Sequence, residues 1–156
     1  MPERVLLVVI DFRKTRDWPL QDIADELNGL VVSCGGEVVD IVLCKSLDPN
    51  PTFLIGEGKV KEIAELCLVK DVDTVIFSQD LKGSQQRNLE EVFDTKTIDR
   101  TQLILDIFAK RATSQEGKMQ VELAQLAYLL PRLSGKGVEL SRSEEHTSEL
   151  QSPYVI

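Results

Sequence analysis

Three features of the 156-residue sequence predict an α/β fold: a small, mostly parallel sheet with flanking helices, then a long helix that is half of a helical hairpin. Continuous, β-branched apolar runs recur at residues 5–10, 37–44 and 73–78, without the in–out alternation of a half-solvated sheet. Segments of helical period lie between them, and strands alternating with helices of this length call for a parallel sheet with right-handed crossovers. From Thr101 onward the strands stop and helical period takes over.

The run VLLVVI at 5–10 is the first strand. Leu20, Ile23, Ala24, Leu27, Leu30 and Val31 then recur at helical spacing, with Pro19 suited to a first turn and Gly35-Gly36 to a stop. EVVDIVLC at 37–44 is the second strand, followed by a loop carrying Pro49 and Pro51 and the short apolar stretch FLIG. A helix over 58–70 has Val60, Ile63, Ala64, Leu66 and Cys67 for its buried side, and DTVIFS at 73–78 is the third strand. SQQRNLEEVFD is a helix burying Leu89, Val92 and Phe93, and KTIDR is a short last strand. Residues 1–100 therefore form one α/β subdomain, whose strand order the sequence leaves open.

TQLILDIFAKRA is helical, and TSQEGKMQVELAQLAYLLPRL begins another helix with Thr113 and Glu116 in capping-box spacing. Met119, Leu123, Leu126, Leu130 and Leu133 are spaced 4, 3, 4, 3, a heptad seam that wants a partner helix. Pro131 falls inside it, where its ring kinks the helix or marks the approach to its end. No second helix returns after the break SGKG, so residues 101–141 read as an incomplete hairpin subdomain whose uncovered seam, 119–133, favours self-association. The stretch 142–152, RSEEHTSELQS, has no structural period and resembles an in-frame translation of a sequencing-library adapter. Residues 142–156 are accordingly set aside as a non-native tail. Without them the formal charge changes from −8 to −6.

An acidic body argues against bulk attraction to nucleic acid, so any such contact must be local. Cys34, Cys44 and Cys67 are an odd number without C-x-x-C spacing, which suggests neither a disulfide framework nor a zinc site. The apolar run at 5–10 is too short for a signal peptide or a membrane span, and the expected location is cytoplasmic.

Few residues suggest chemistry. IGEGKV places Gly56, Gly58 and Lys59 at a helix start, a weak anion or nucleotide site. The Walker A pattern fails at two positions, since Phe53 replaces its first glycine and Val60 follows the lysine. A glycine turn with Lys59 on a solvated face is the more economical reading. Ile98-Asp99-Arg100 reads as a local ion pair and a helix cap. The only histidine, His146, lies in the tail, so no catalytic constellation and no metal site is assigned. Trp18 and Tyr128 are isolated aromatics. Arg132, Ser134, Gly135, Lys136 and Gly137 form a basic, glycine-containing turn after the seam, able to approach phosphates despite the acidic body.

FLIGEGKVKEI, QRNLEEVF, the block from IDRTQLILDIFAKRA to LLPRLSGKG, and LSR resemble the N-terminal region of HflX-type GTPases, most strongly over 97–137. The resemblance implies an α/β subdomain, a helical hairpin and a separate P-loop GTPase domain. It further implies docking on the large (50S-type) ribosomal subunit, with the hairpin loop contacting rRNA near the peptidyl-transferase region, and a role in ribosome splitting or rescue. Carried onto this chain, Arg132, Ser134, Gly135, Lys136, Gly137 and Arg142 lie on or beside that loop. Past LSR the family continues into a glycine-rich GGIG-x-RGPGE segment that is not found here. No Walker A, N-K-x-D or switch motif is present, so GTP, Mg²⁺ and hydrolysis are expected of a portion outside this chain and no cofactor within it. The alternative expectation is a stand-alone α/β nucleotide- or ligand-binding regulatory module.

Overall fold

The computed structural model describes residues 2–12, 19–46 and 49–133. Four strands and five helices alternate as expected: β1 Arg4–Phe12, α1 Leu20–Ser33, β2 Glu37–Ser46, α2 Glu57–Val69, β3 Thr74–Phe77, α3 Gly83–Phe93, β4 Lys96–Asp99, α4 Arg100–Arg111 and α5 Gln115–Leu133. Two compact units result, one ending at Leu103 and the other beginning at Ile104.

In the first unit the strands form a single parallel sheet of order β2-β1-β3-β4. The chain runs outward from the central β1 to β2, returns across it to β3 and continues outward to β4. That reversal puts α1 on one face and α2 with α3 on the other when every crossover is right-handed. One face buries Leu6, Val8 and Ile10 of β1 against Val60, Ile63 and Cys67 of α2 and Leu89 and Phe93 of α3. Val5, Leu7 and Val9 alternate to the opposite face, where α1 packs on β1 and β2 through its buried residues Ala24, Leu27 and Val31. A register shift between Val5 and Leu6 leaves Val39 of β2 between the paired residues Val38 and Asp40, a bulge in this edge strand.

Arg4 closes the lower edge of the sheet. Its amide donates to Asp73 Oδ2 at 2.9 Å, and its guanidinium donates to the Lys70 carbonyl through Nε at 3.0 Å and Nη2 at 2.9 Å. One side chain thereby satisfies a carbonyl at the end of α2.

The structure corrects two local expectations. Val92 is 43% exposed, because α3 meets the core through Gln85, Leu89 and Phe93, four residues apart, and Val92 falls off that line. Gln85 is tolerated in the core because its amide is satisfied: Oε1 accepts the Lys82 N–H at 2.9 Å and Nε2 donates to the Asn50 carbonyl at 3.1 Å. The cap of α5 is Ser114 rather than Thr113: its Oγ accepts the Gly117 N–H at 2.9 Å, and the helix starts at Gln115.

In the second unit α5 runs for 19 residues with Pro131 in its last turn. The seam side chains Met119, Leu123, Leu126 and Leu130 are 59%, 67%, 49% and 63% exposed, an apolar stripe that no other described residue covers.

Candidate functional site

The turn leading into α2 is built as a plug. Asn50 and Leu54 exchange backbone hydrogen bonds of 2.9 and 2.7 Å, and Asn50 Oδ1 accepts the Thr52 and Phe53 amides. Leu54 holds φ at +68°, a left-handed conformation costly for a branched side chain, while Leu54 and Ile55 are buried. Gly56 is the N-cap of α2 with an ordinary φ of −67°, and Gly58 lies in the first turn. A Cβ at either glycine would meet nothing within 4 Å. Lys59 Nζ lies 3.1 Å from Glu62 Oε2, and Glu57 adds a second carboxylate to the first turn. With Lys61 beside them, the helix entry carries two cations and two anions, and its chain path is fixed by internal bonds.

The ends of β3 and β4 are equally internal. Asp99 is fully buried; Oδ2 accepts the Leu81 N–H and Oδ1 the Gln102 N–H, both at 3.0 Å, so it caps α4 as read from the sequence. Arg100 pairs with Glu26 of α1 rather than with its neighbour Asp99. Thr101 Oγ1 donates to Asp80 Oδ1 at 2.7 Å, and Ser78 Oγ accepts the Ile10 N–H at 2.9 Å.

Cys44 and Cys67 are buried and Cys34 is partly exposed. Burial pushes the Cys44 thiol up to about 11 and raises that of Cys67 as well, the opposite of what an activated thiol requires. Among the described residues no three His, Cys, Asp or Glu side chains are grouped to hold a metal ion.

At the end of α5 the structure adds a residue that the sequence reading passed over. The Arg132 guanidinium lies over the Tyr128 ring, 3.4 Å from its centroid, and Arg132 Nη1 donates to the Tyr128 carbonyl at 2.9 Å. The signal was present in the i, i+4 spacing of the two residues on a predicted helix. Ser134, Gly135, Lys136, Gly137 and Arg142, together with His146, lie outside the described residues. No acidic residue occurs between Glu122 and Glu139, whereas Arg132 and Lys136 do, so the end of α5 is a local basic island in a chain of charge −8.

Residues 21–109 match the family model described as GTP-binding GTPase N-terminal, and residues 111–151 match GTP-binding GTPase Middle Region. GTPase HflX of Alkalihalophilus pseudofirmus is 48% identical over 90% of this chain and 33% of its own length. GTPase HflX of Flavobacterium psychrophilum and that of Escherichia coli are each 42% identical over 91% of this chain, covering 34% and 33% of those proteins. A GTP-binding protein from the hyperthermophilic archaeon Sulfolobus solfataricus, solved in complex with GDP, is similar at a TM-score of 0.66 and 27% identity over 96% of this chain and 45% of that one. The chain spans about a third of the length of the curated relatives it matches. Among the described residues no helix is long and apolar enough to cross a membrane.

Proposed function

The chain belongs to the HflX family of GTP-binding GTPases as an N-terminal domain fragment, and from that premise we propose that it is the part that contacts RNA of the large ribosomal subunit. The observation that carries the reading is the run from 123 to 138 without an acidic residue, bearing Arg132 and Lys136, in a chain whose formal charge is −8. Arg132 and, beyond the described residues, Lys136 supply phosphate contacts, and the glycines at 135 and 137 add no side chain that would hinder close approach. The first unit is the scaffold, since its polar side chains at the sheet ends are engaged in caps and turns. GTP binding and hydrolysis, with Mg²⁺, belong in this proposal to the part of the relatives that this chain does not span; the setting is the cytoplasm and the task ribosome splitting or rescue.

Co-sedimentation of the chain with purified large ribosomal subunits tests the proposal. Binding should weaken with salt, with a log–log slope of roughly −1.4 to −1.8 if two cationic side chains meet phosphates. Absence of co-sedimentation at low salt refutes it. The boundary of the domain has its own check. Sequencing the genomic locus across codons 140–156 supports an extraneous tail if the frame departs from SEEHTSELQS, and refutes it if those codons are found there.

A further inference from the structure

We infer that Tyr128 is a positioning residue for RNA binding: it holds the Arg132 guanidinium in one orientation at the end of α5, so that the cation meets a phosphate already ordered. The inference rests on the RNA-binding reading above. Two contacts on the same residue support it, the ring beneath the guanidinium at 3.4 Å and the Tyr128 carbonyl accepting from Nη1 at 2.9 Å. An arginine on a helix surface ordinarily samples many rotamers, and ordering it on binding opposes association. Stacking on an aromatic face removes much of that freedom beforehand while leaving the charge intact, and the planar guanidinium suits this where a lysine ammonium does not.

The local backbone explains why the anchor sits here. Pro131 has no N–H and stands one residue before Arg132, in the turn where helix carbonyls begin to lack partners. The amide that Pro131 lacks would have met the carbonyl of Ala127; one residue on, the Arg132 side chain donates to the Tyr128 carbonyl, which fixes it along the last turn of α5. A capping role alone needs only the carbonyl, which any residue at 128 supplies. The ring contact is the part that a cap does not require.

The test separates ring from carbonyl. Large ribosomal subunits are titrated with the wild-type chain and with Tyr128→Phe, Tyr128→Leu, Arg132→Gln and Arg132→Lys. In the free chain, the Arg132 Nε–H resonance is followed by NMR. Tyr128→Phe should bind as wild type, and Tyr128→Leu about three- to fivefold more weakly, the factor that corresponds to one exposed cation–π contact. Arg132→Gln should lower the salt slope by about 0.7–0.9, one phosphate contact. Equal binding by Tyr128→Leu and wild type, or equal weakening by Tyr128→Phe and Tyr128→Leu, overturns the inference. Should Tyr128→Leu lose helix content, Arg132→Lys decides: it keeps the charge, and binding as tight as wild type overturns the inference. A wild-type chain that does not bind removes the RNA-binding reading instead. The NMR resonance then still reports whether the ring orders the guanidinium: sharpening in Tyr128→Leu contradicts the anchor, and broadening or averaging confirms it.

Discussion

Replacing Asp99 by alanine should cost the first unit about 3 kcal/mol, summed from a charge-assisted hydrogen bond at roughly 1.5–3 and a helix cap near 1. The side chain is fully buried, and its two oxygens accept the Leu81 and Gln102 amides at 3.0 Å each. One carboxylate thus ties the segment after β3 to the end of β4 and starts α4. Asp99→Asn keeps the shape and one acceptor but turns an NH₂ toward the other amide, so it should fall between wild type and alanine. Urea unfolding followed by far-UV circular dichroism is the assay, and a loss of this size moves the midpoint by about 1–3 M at ordinary slopes. Thr101→Ala, which removes only the exposed bond to Asp80, serves as the control and should cost under about 0.5 kcal/mol. If Asp99→Ala also costs less than about 0.5 kcal/mol, the junction is not held by this carboxylate and the account of α4 initiation is wrong.

The thiols should react in two tiers with Ellman's reagent, Cys34 in the folded chain and Cys44 and Cys67 only on unfolding; equal rates would contradict their burial. Because the Cys44 thiol is pushed up to about 11 from 9.0 by burial, its contribution is complete below pH 9 and is lost as pH rises toward 11, and a Cys44→Val variant should lack that decline. The Asp40 carboxyl is held below its usual 3.8 chiefly by the Lys70 hydrogen bond, so its stabilisation is present above that value and disappears as pH falls below it. Asp40→Asn should therefore match wild type in strong acid and fall behind it only above pH 4, and a constant difference at all pH values would exclude the pair as the cause. The paired change Leu123→Gln with Leu126→Gln should shift sedimentation velocity toward monomer while leaving helix content intact, since both residues are exposed along the seam; unchanged association would place the contact elsewhere.

How much of this was legible in the sequence depended on whether the deciding interaction was local. The parallel strands and every helix followed from apolar period, because periodicity alone sets them. Strand order was not legible, since right-handed crossovers allow β2 on either side of β1 and only tertiary packing selects the reversal between β1 and β3. Val92 was misplaced and Gln85 overlooked for one reason: a polar residue occupied the core line of α3, and the Lys82 amide and Asn50 carbonyl that make it tolerable are brought together only by folding. At the candidate site, Arg132 was found from charge and Tyr128 dismissed for isolation, although their i, i+4 spacing held the clue.

The two units use their polar groups in opposite ways, and that contrast argues for where recognition lies. In the first unit Arg4, Gln85 and Asp99 each bond backbone carbonyls or amides of other segments, so a ligand there would have to displace a bond that holds the fold. Such displacement carries the cost of leaving a buried group unsatisfied, about 1–3 kcal/mol each. In the second unit Arg132 donates to a carbonyl of its own helix, and four large apolar side chains of α5 face solvent, so covering that stripe removes apolar surface from water. A surface that gains by being covered, beside a basic turn in an acidic chain, is the arrangement expected of the recognising element.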